Sequence, residues 1–202
     1  MIMKSFWHCV STLVFAAIAT AAHAANTPPD ALVQATVGEV LSVAKQTRDK
    51  RALRELAEEK VLPRFDFEQM TQLAFGPIWS KASPQQQRSL ANGFRALLLN
   101  TYTTSLSLGA SPDMKFEVRP VRQSRAQDVT VKTLIKEPGK PPIAIDYRME
   151  SQAEGWKVYD VLVEGVSLVT TYQRVFQEEV QRSGIDGLIK VLNAKNRRLV
   201  RS

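Results

Sequence analysis

The chain has 202 residues, with 27 Lys and Arg against 20 Asp and Glu, a formal net charge of +7, and it carries one Cys and two His. That length suits one domain with a substantial core, and a single Cys excludes an internal disulfide. Both His and the Cys lie within the first 24 residues, so a chain that loses that segment has no usual zinc ligand set and no His-based triad.

The N-terminus sharpens these exclusions. Lys4 precedes an apolar run from Phe6 through Ala22, and Ala22-His23-Ala24 supplies the small-x-small end of a secretory signal peptide. The run is too short and too poorly flanked for a stable transmembrane helix. Residues 1–24 are therefore expected to be a signal peptide and 25–202 a single domain. Cleavage would remove Cys9, His8 and His23, leaving 26 basic and 20 acidic residues, a net +6, and no thiol or imidazole for catalysis. The positive balance favours anionic lipid surfaces or acidic proteins, and equally fits a solvated basic surface. Export and the lack of any recognisable module argue against nucleic acid.

The first half reads as helices. Asp30 is expected to cap a segment to about Gln46, with Val33, Val37, Val40, Leu41 and Ala44 as its apolar stripe. Leu53, Leu56 and Ala57 mark a short second helix ending near Pro63. Asp66 followed by Gln69 resembles a capping box, with Met70, Leu73 and Ala74 on the buried side and Gly76-Pro77 as the stop. Ser83-Pro84 with Gln86 starts a long helix to about Leu108, whose inner stripe holds Leu90, Phe94, Leu97, Leu98, Thr101, Tyr102 and Ser105, with Leu99 and Leu106 broadening it.

The second half switches to period-two alternation. Met114, Phe116 and Val118 form one strand, and Val129, Val131, Thr133 and Ile135 a second. After the Pro138–Pro142 turn, Ile143, Ile145, Tyr147 and Met149 form a third. In the fourth, Trp156, Val158 and Leu162 point one way and Tyr159, Val161 and Val163 the other, so both faces are apolar. After Gly165, a residue suited to a tight turn, the period becomes helical, with Val169, Tyr172, Phe176 and Val180 on one stripe and Leu168 and Val175 widening it. Lys190, Lys195, Arg197, Arg198 and Arg201 read as a frayed basic tail. The fold class expected is α+β, a four-stranded antiparallel meander packed with several helices.

An enzyme reading finds little chemistry. Ser42-Val43-Ala44-Lys45 fits the S-x-x-K pattern of serine acyltransferases, but the S-D-N and K-T-G companions are missing. Asp146, Asp160 and Glu164 cluster late in the sheet, where salt bridges or helix capping account for them more simply than acid–base work. A lipid-free protein adaptor is a third reading. The doubly apolar fourth strand fits either a strand sandwiched in a core or one wall of a cavity for an apolar ligand.

The segments FDFEQMTQLAFGPIWSKASPQQQ (65–87), FRALLLNTY (94–102) and WKVYDVLVEGVSLVTTYQRVF (156–176) together resemble the signature regions of the MlaC family, also called toluene-tolerance auxiliary proteins. The resemblance covers essentially the whole of 25–202, in the same order. It implies a single lipid-binding domain: a curved sheet and helices around a deep apolar lipid cavity, with phospholipid as cargo and no metal or organic cofactor. It further implies a periplasmic monomer, not an enzyme, that exchanges lipid with an outer-membrane lipoprotein complex and an inner-membrane ABC transporter complex and so maintains outer-membrane lipid asymmetry. A hopanoid-related cargo is the alternative within the family. The expected lining residues are Leu98, Tyr102, Leu106, Tyr147, Met149, Val161, Val163, Val166 and Val169, although each of them alone also fits plain core packing. Trp79 and Trp156 match positions of the family and are read as structural.

Overall fold

The computed structural model describes residues 27–107, 110–121 and 127–201; the signal peptide read at 1–24 and the helix end read at Leu108 lie outside them. In chain order the elements are α1 (Pro29–Gln46), α2 (Lys50–Leu56), α3 (Phe67–Phe75), α4 (Pro84–Ser107), β1 (Lys115–Val118), β2 (Asp128–Lys136), β3 (Ile143–Gln152), β4 (Gly155–Val163), β5 (Val166–Ser167) and α5 (Leu168–Arg201). A π-helical turn (Ala57–Val61) and a 3₁₀ turn (Leu62–Arg64) continue α2, and a second 3₁₀ turn (Gly76–Lys81) follows α3. The strands form one antiparallel sheet in the order β1-β2-β3-β4-β5. The fold is thus the α+β meander expected, with a fifth, two-residue strand added by the turn at Glu164-Gly165. Both turn residues have positive φ, 51° and 78°, the geometry of a tight two-residue hairpin. Glu164 holds that unusual conformation with its N–H on Ala144 O at 2.9 Å and its carboxylate accepting the Ala144 N–H.

The capping signals act locally, with two changes. Ser83 and Gln86 form the full reciprocal box, Ser83 N–H to Gln86 Oε1 at 2.9 Å and Gln86 N–H to Ser83 Oγ at 3.2 Å. Asp66 accepts the Gln69 N–H at 2.8 Å, but the Gln69 side chain reaches Glu150 and the Asp66 N–H goes to Val158 O at 2.9 Å, so β4 takes over the second half of that box. Asp30 does not cap α1. The helix begins at Pro29, whose ring presets φ, and the Asp30 carboxylate instead accepts the Val121 N–H at 3.2 Å, tying α1 to the chain leaving β1.

Two apolar clusters carry the packing. The first joins α3, α4 and α5 around Phe176, whose ring lies 4.9 Å from Phe75, 5.4 Å from Phe94 and 5.4 Å from Tyr172. In α3 the buried side is Met70, Thr71, Ala74 and Phe75, while Leu73 is 43% exposed: the helix is rotated so that Phe75, the larger side chain, enters the core. Val175 of α5 likewise faces outward. The second cluster lies on the inner face of the sheet, where Val131, Met149 and Val158 pack with Val33 and its neighbours on α1.

Strict alternation fails in β4. The register shifts between Arg148 and Met149, pairing Arg148 with Asp160 but Met149 with Val158, and Tyr159 is the extra residue of the bulge. Beyond it the parity reverses, so Val161 and Val163 share the inner face with Val158 instead of opposing it. Tyr159 turns to the outer face, its hydroxyl on Asp128 at 2.6 Å and the Arg148 guanidinium 4.9 Å from its ring centre.

The basic residues read as a frayed tail are helical through Arg201. Gly184, at φ 71° and ψ 179°, breaks α5 into arms of residues 168–183 and 185–201, and the second arm packs Leu188 and Leu192 onto α4. That apolar seam, with Asn196 Nδ2 donating to Gly93 O at 2.9 Å, keeps the arm folded.

The start of α5 is tied to β4 by Asp160, which is buried and accepts the N–H groups of Val161 at 2.8 Å and Val169 at 3.3 Å. Asp160→Ala removes the acceptor of two buried donors and is expected to lower stability by about 1–3 kcal/mol, read from urea unfolding; Asp160→Asn, which keeps one acceptor oxygen, should lose less.

Candidate functional site

A cavity of about 450 Å³ lies between the inner face of the sheet and the helices. Ile145, Tyr147 and Met149 of β3 and Val158, Val161 and Val163 of β4 form its floor, with Ile135 of β2 at one side. Leu98, Leu99, Tyr102, Thr103, Ser105 and Leu106 of α4 form one wall, and Leu32, Val33, Val37 and Val40 of α1 the other. The stretch after α2 closes the third side with Ala57, Val61, Leu62, Phe65 and Phe67. A π-helical turn in that wall widens the backbone by one residue and brings Ala57 and Val61 to the same space.

Of the nine lining residues expected, Leu98, Tyr102, Leu106, Tyr147, Met149, Val161 and Val163 are brought together around this cavity. Val166 and Val169 are not. Val166 sits on the edge strand just past the turn and is 61% exposed, and Val169, one helical step further, is buried in the α3–α4–α5 cluster. The turn at Glu164-Gly165 reverses the chain, so the residues beyond it leave the inner face; Leu168 alone returns to the wall. Missing from the expectation are the α1 stripe and the 57–67 stretch. The stripe is visible as Val33, Val37 and Val40, but periodicity marks an apolar face without saying whether a core or a void lies opposite it.

The wall's polar groups are few and mostly committed. Thr103 donates to Leu99 O at 2.6 Å within its own helix. The phenols of Tyr102 and Tyr147 have no hydrogen-bond partner among the described residues, and burial pushes both up, Tyr102 to about 12. No pair of carboxylates faces the cavity, and Ser42 receives its hydrogen bond from Gln46 at 3.5 Å on the exposed side of α1, with no bond to Lys45. Asp160 caps α5 and Glu164 shapes the turn. Among the described residues no group of three or more His, Cys, Asp or Glu is placed to hold a metal, and no helix is long and apolar enough to cross a membrane. The lining is predominantly apolar, a surface suited to hydrocarbon, and among the described residues it contains no Asp, Glu, His or Cys.

Fold and cavity together define a binding protein for an apolar ligand. Residues 34–194 match the MlaC protein family model, and the chain belongs to that family. It is 23% identical over 192 residues to the intermembrane phospholipid transport system binding protein MlaC of Haemophilus influenzae, covering 91% of this chain and 89% of the relative. Among solved structures it resembles a phospholipid-binding protein from Ralstonia solanacearum in complex with a phospholipid, at 34% identity and a TM-score of 0.76, covering 86% of this chain and 99% of that one.

The two phenols give the wall a pH signature. Tyr102 ionises near 10.0 when unfolded and about 12 when folded, so the folded state holds the proton longer. Its contribution to stability is full below pH 10 and is lost as pH rises through the folded value. Alkaline titration at 295 nm is expected to show delayed phenolate absorbance in the native protein, and Tyr102→Phe should remove one of the late-titrating groups.

Proposed function

We propose that this protein is a periplasmic phospholipid carrier, not an enzyme, that holds acyl tails in the cavity between α1, α4 and the sheet. It passes lipid between an outer-membrane lipoprotein complex and an inner-membrane ABC transporter complex, supporting outer-membrane lipid asymmetry. The observation that carries this reading is the cavity, walled mainly by aliphatic and aromatic side chains from seven helices and strands and the turns after α2. The phospholipid bound by the Ralstonia solanacearum relative supports it. Acyl contact is assigned to Leu98, Tyr102, Leu106, Tyr147, Met149, Val161 and Val163, joined by Val33, Val37, Val61 and Phe67.

The energetics demand such a wall. Exposing acyl chains to water costs about 0.8 kcal/mol per CH₂, so two chains of roughly sixteen carbons oppose free transfer by on the order of 20 kcal/mol. A carrier must cover most of that length, yet bind no tighter than its donor and acceptor. Apolar contacts spread over many side chains meet both conditions, because no single strong headgroup interaction has to be broken on release.

Protein purified from its native periplasm and extracted with organic solvent is expected to yield near-stoichiometric phospholipid by mass spectrometry, with an intact-complex mass to match. A folded, lipid-free protein would return weight to the adaptor reading, and a hopanoid-like extract would keep the fold and change the cargo. Val163→Trp should lower lipid occupancy severalfold by filling the floor. Val166→Trp, on the exposed edge strand, should leave it unchanged, with both variants retaining the native circular dichroism spectrum. Equal loading of the two would place the lipid elsewhere.

A further inference from the structure

The second arm of α5 carries an uneven share of the charge. Lys190, Lys195, Arg197, Arg198 and Arg201 are all exposed, and none forms an ion pair among the described residues. Five basic residues against one acid give this arm a net +4 of the chain's +7, on 17 of its 202 residues. The arm's one acid, Asp186, stands at its start and is engaged by Gln86 Nε2 at 2.8 Å.

Helical spacing gathers four of these cations on one side. Lys190, Arg197 and Arg201 follow one another at intervals of seven and four along a single line, Arg198 falls beside it, and Lys195 lies further round, at the border with the buried leucines. Leu188, Leu192 and Leu199 occupy the opposite side, against α3 and α4. Val191, 45% exposed, lies among the cations, and Val200, 62% exposed, at their margin. The arm is held firmly: Lys50 at the start of α2 donates to Leu199 O at 3.2 Å, and α2 leads directly into the Ala57 and Val61 wall of the cavity.

We propose that this basic face is a docking surface for an anionic phospholipid bilayer. Five cations without internal partners form a field that a flat sheet of phosphate groups neutralises without demanding fixed partner positions. Two exposed valines add short apolar contacts at the headgroup boundary, too small for insertion but suited to a reversible stop. An acidic protein surface would satisfy the same charge. The broad spread of the cations and the interspersed valines favour lipid, as does the carrier reading, on which the choice of a lipid surface partly rests. Docking would hold the cavity, joined to the arm through α2, close to the membrane during exchange.

The test is co-sedimentation of the purified full chain with vesicles of equal parts phosphatidylglycerol and phosphatidylcholine, against vesicles of phosphatidylcholine alone. Binding to the anionic vesicles only, weakening as added salt shortens the screening length, is the expected result. The triple variant Lys195→Gln, Arg197→Gln, Arg198→Gln should bind about 100-fold more weakly, with unchanged thermal unfolding because the three side chains are exposed and unpaired. Equal binding to both vesicle types, equal binding by the variant, or no binding to anionic vesicles would overturn the proposal, the last pointing to an acidic protein partner. Lipid content of the same preparations, measured after extraction, reads the carrier function separately: a loaded cavity with no vesicle binding sinks only the docking surface, and an empty one with vesicle binding sinks only the carrier.

Discussion

A single inserted residue in β4 decides which way the cavity floor faces. With Tyr159 bulged out, Val158, Val161 and Val163 share one face, although unbroken alternation would set Val158 against the other two. The same bulge turns Asp160 toward the first turn of α5, where its buried carboxylate accepts two backbone N–H groups and fixes the helix to the sheet. Floor and helical core are therefore set by one local irregularity, and the cavity inherits its shape from the junction between them.

Keeping an apolar space open in water requires walls that do not collapse onto one another. Here the helical core around Phe176 backs the cavity, and α4 belongs to both, with Leu90, Phe94 and Leu97 in the core, Tyr102 and Leu106 on the wall, and Leu98 in both. The edge-on contacts of Phe94 with Tyr172 and Phe176 hold α4 from behind. The inner sheet cluster braces α1 in a comparable way through Val33, which packs on Val131 and Met149 while lining the cavity. The division between core and lining thus runs along single helices, and this is how a domain of ordinary size holds both a core and a void.

The polar devices at the edges follow one logic. Asp30, Asp66, Asp160 and Glu164 each accept a backbone N–H near a junction of elements, so two of the three carboxylates late in the sheet, Asp160 and Glu164, serve as fasteners. Among the described residues no carboxylate lines the cavity, and Arg64 is the one charged side chain at its wall.

The sequence by itself determined the element types and most of their ends, because capping and turn residues act over three or four positions: Ser83 with Gln86, Asp66, and the glycine after Glu164 all do locally what their spacing says. It also carried the family resemblance and most of the cavity floor, since Tyr147, Met149, Val161 and Val163 lie on strands whose apolar faces are plain. Tertiary structure alone decided the rest. A period of 2 or 3.6 identifies an apolar face but not what it meets, so Val169 goes to the core, Val166 to solvent, and the α1 stripe to the cavity. The bulge at Tyr159 and the break at Gly184 are each single-residue events set by neighbouring elements. One reversed a strand's parity, and the other folded a presumed frayed tail back onto α4 as a helix.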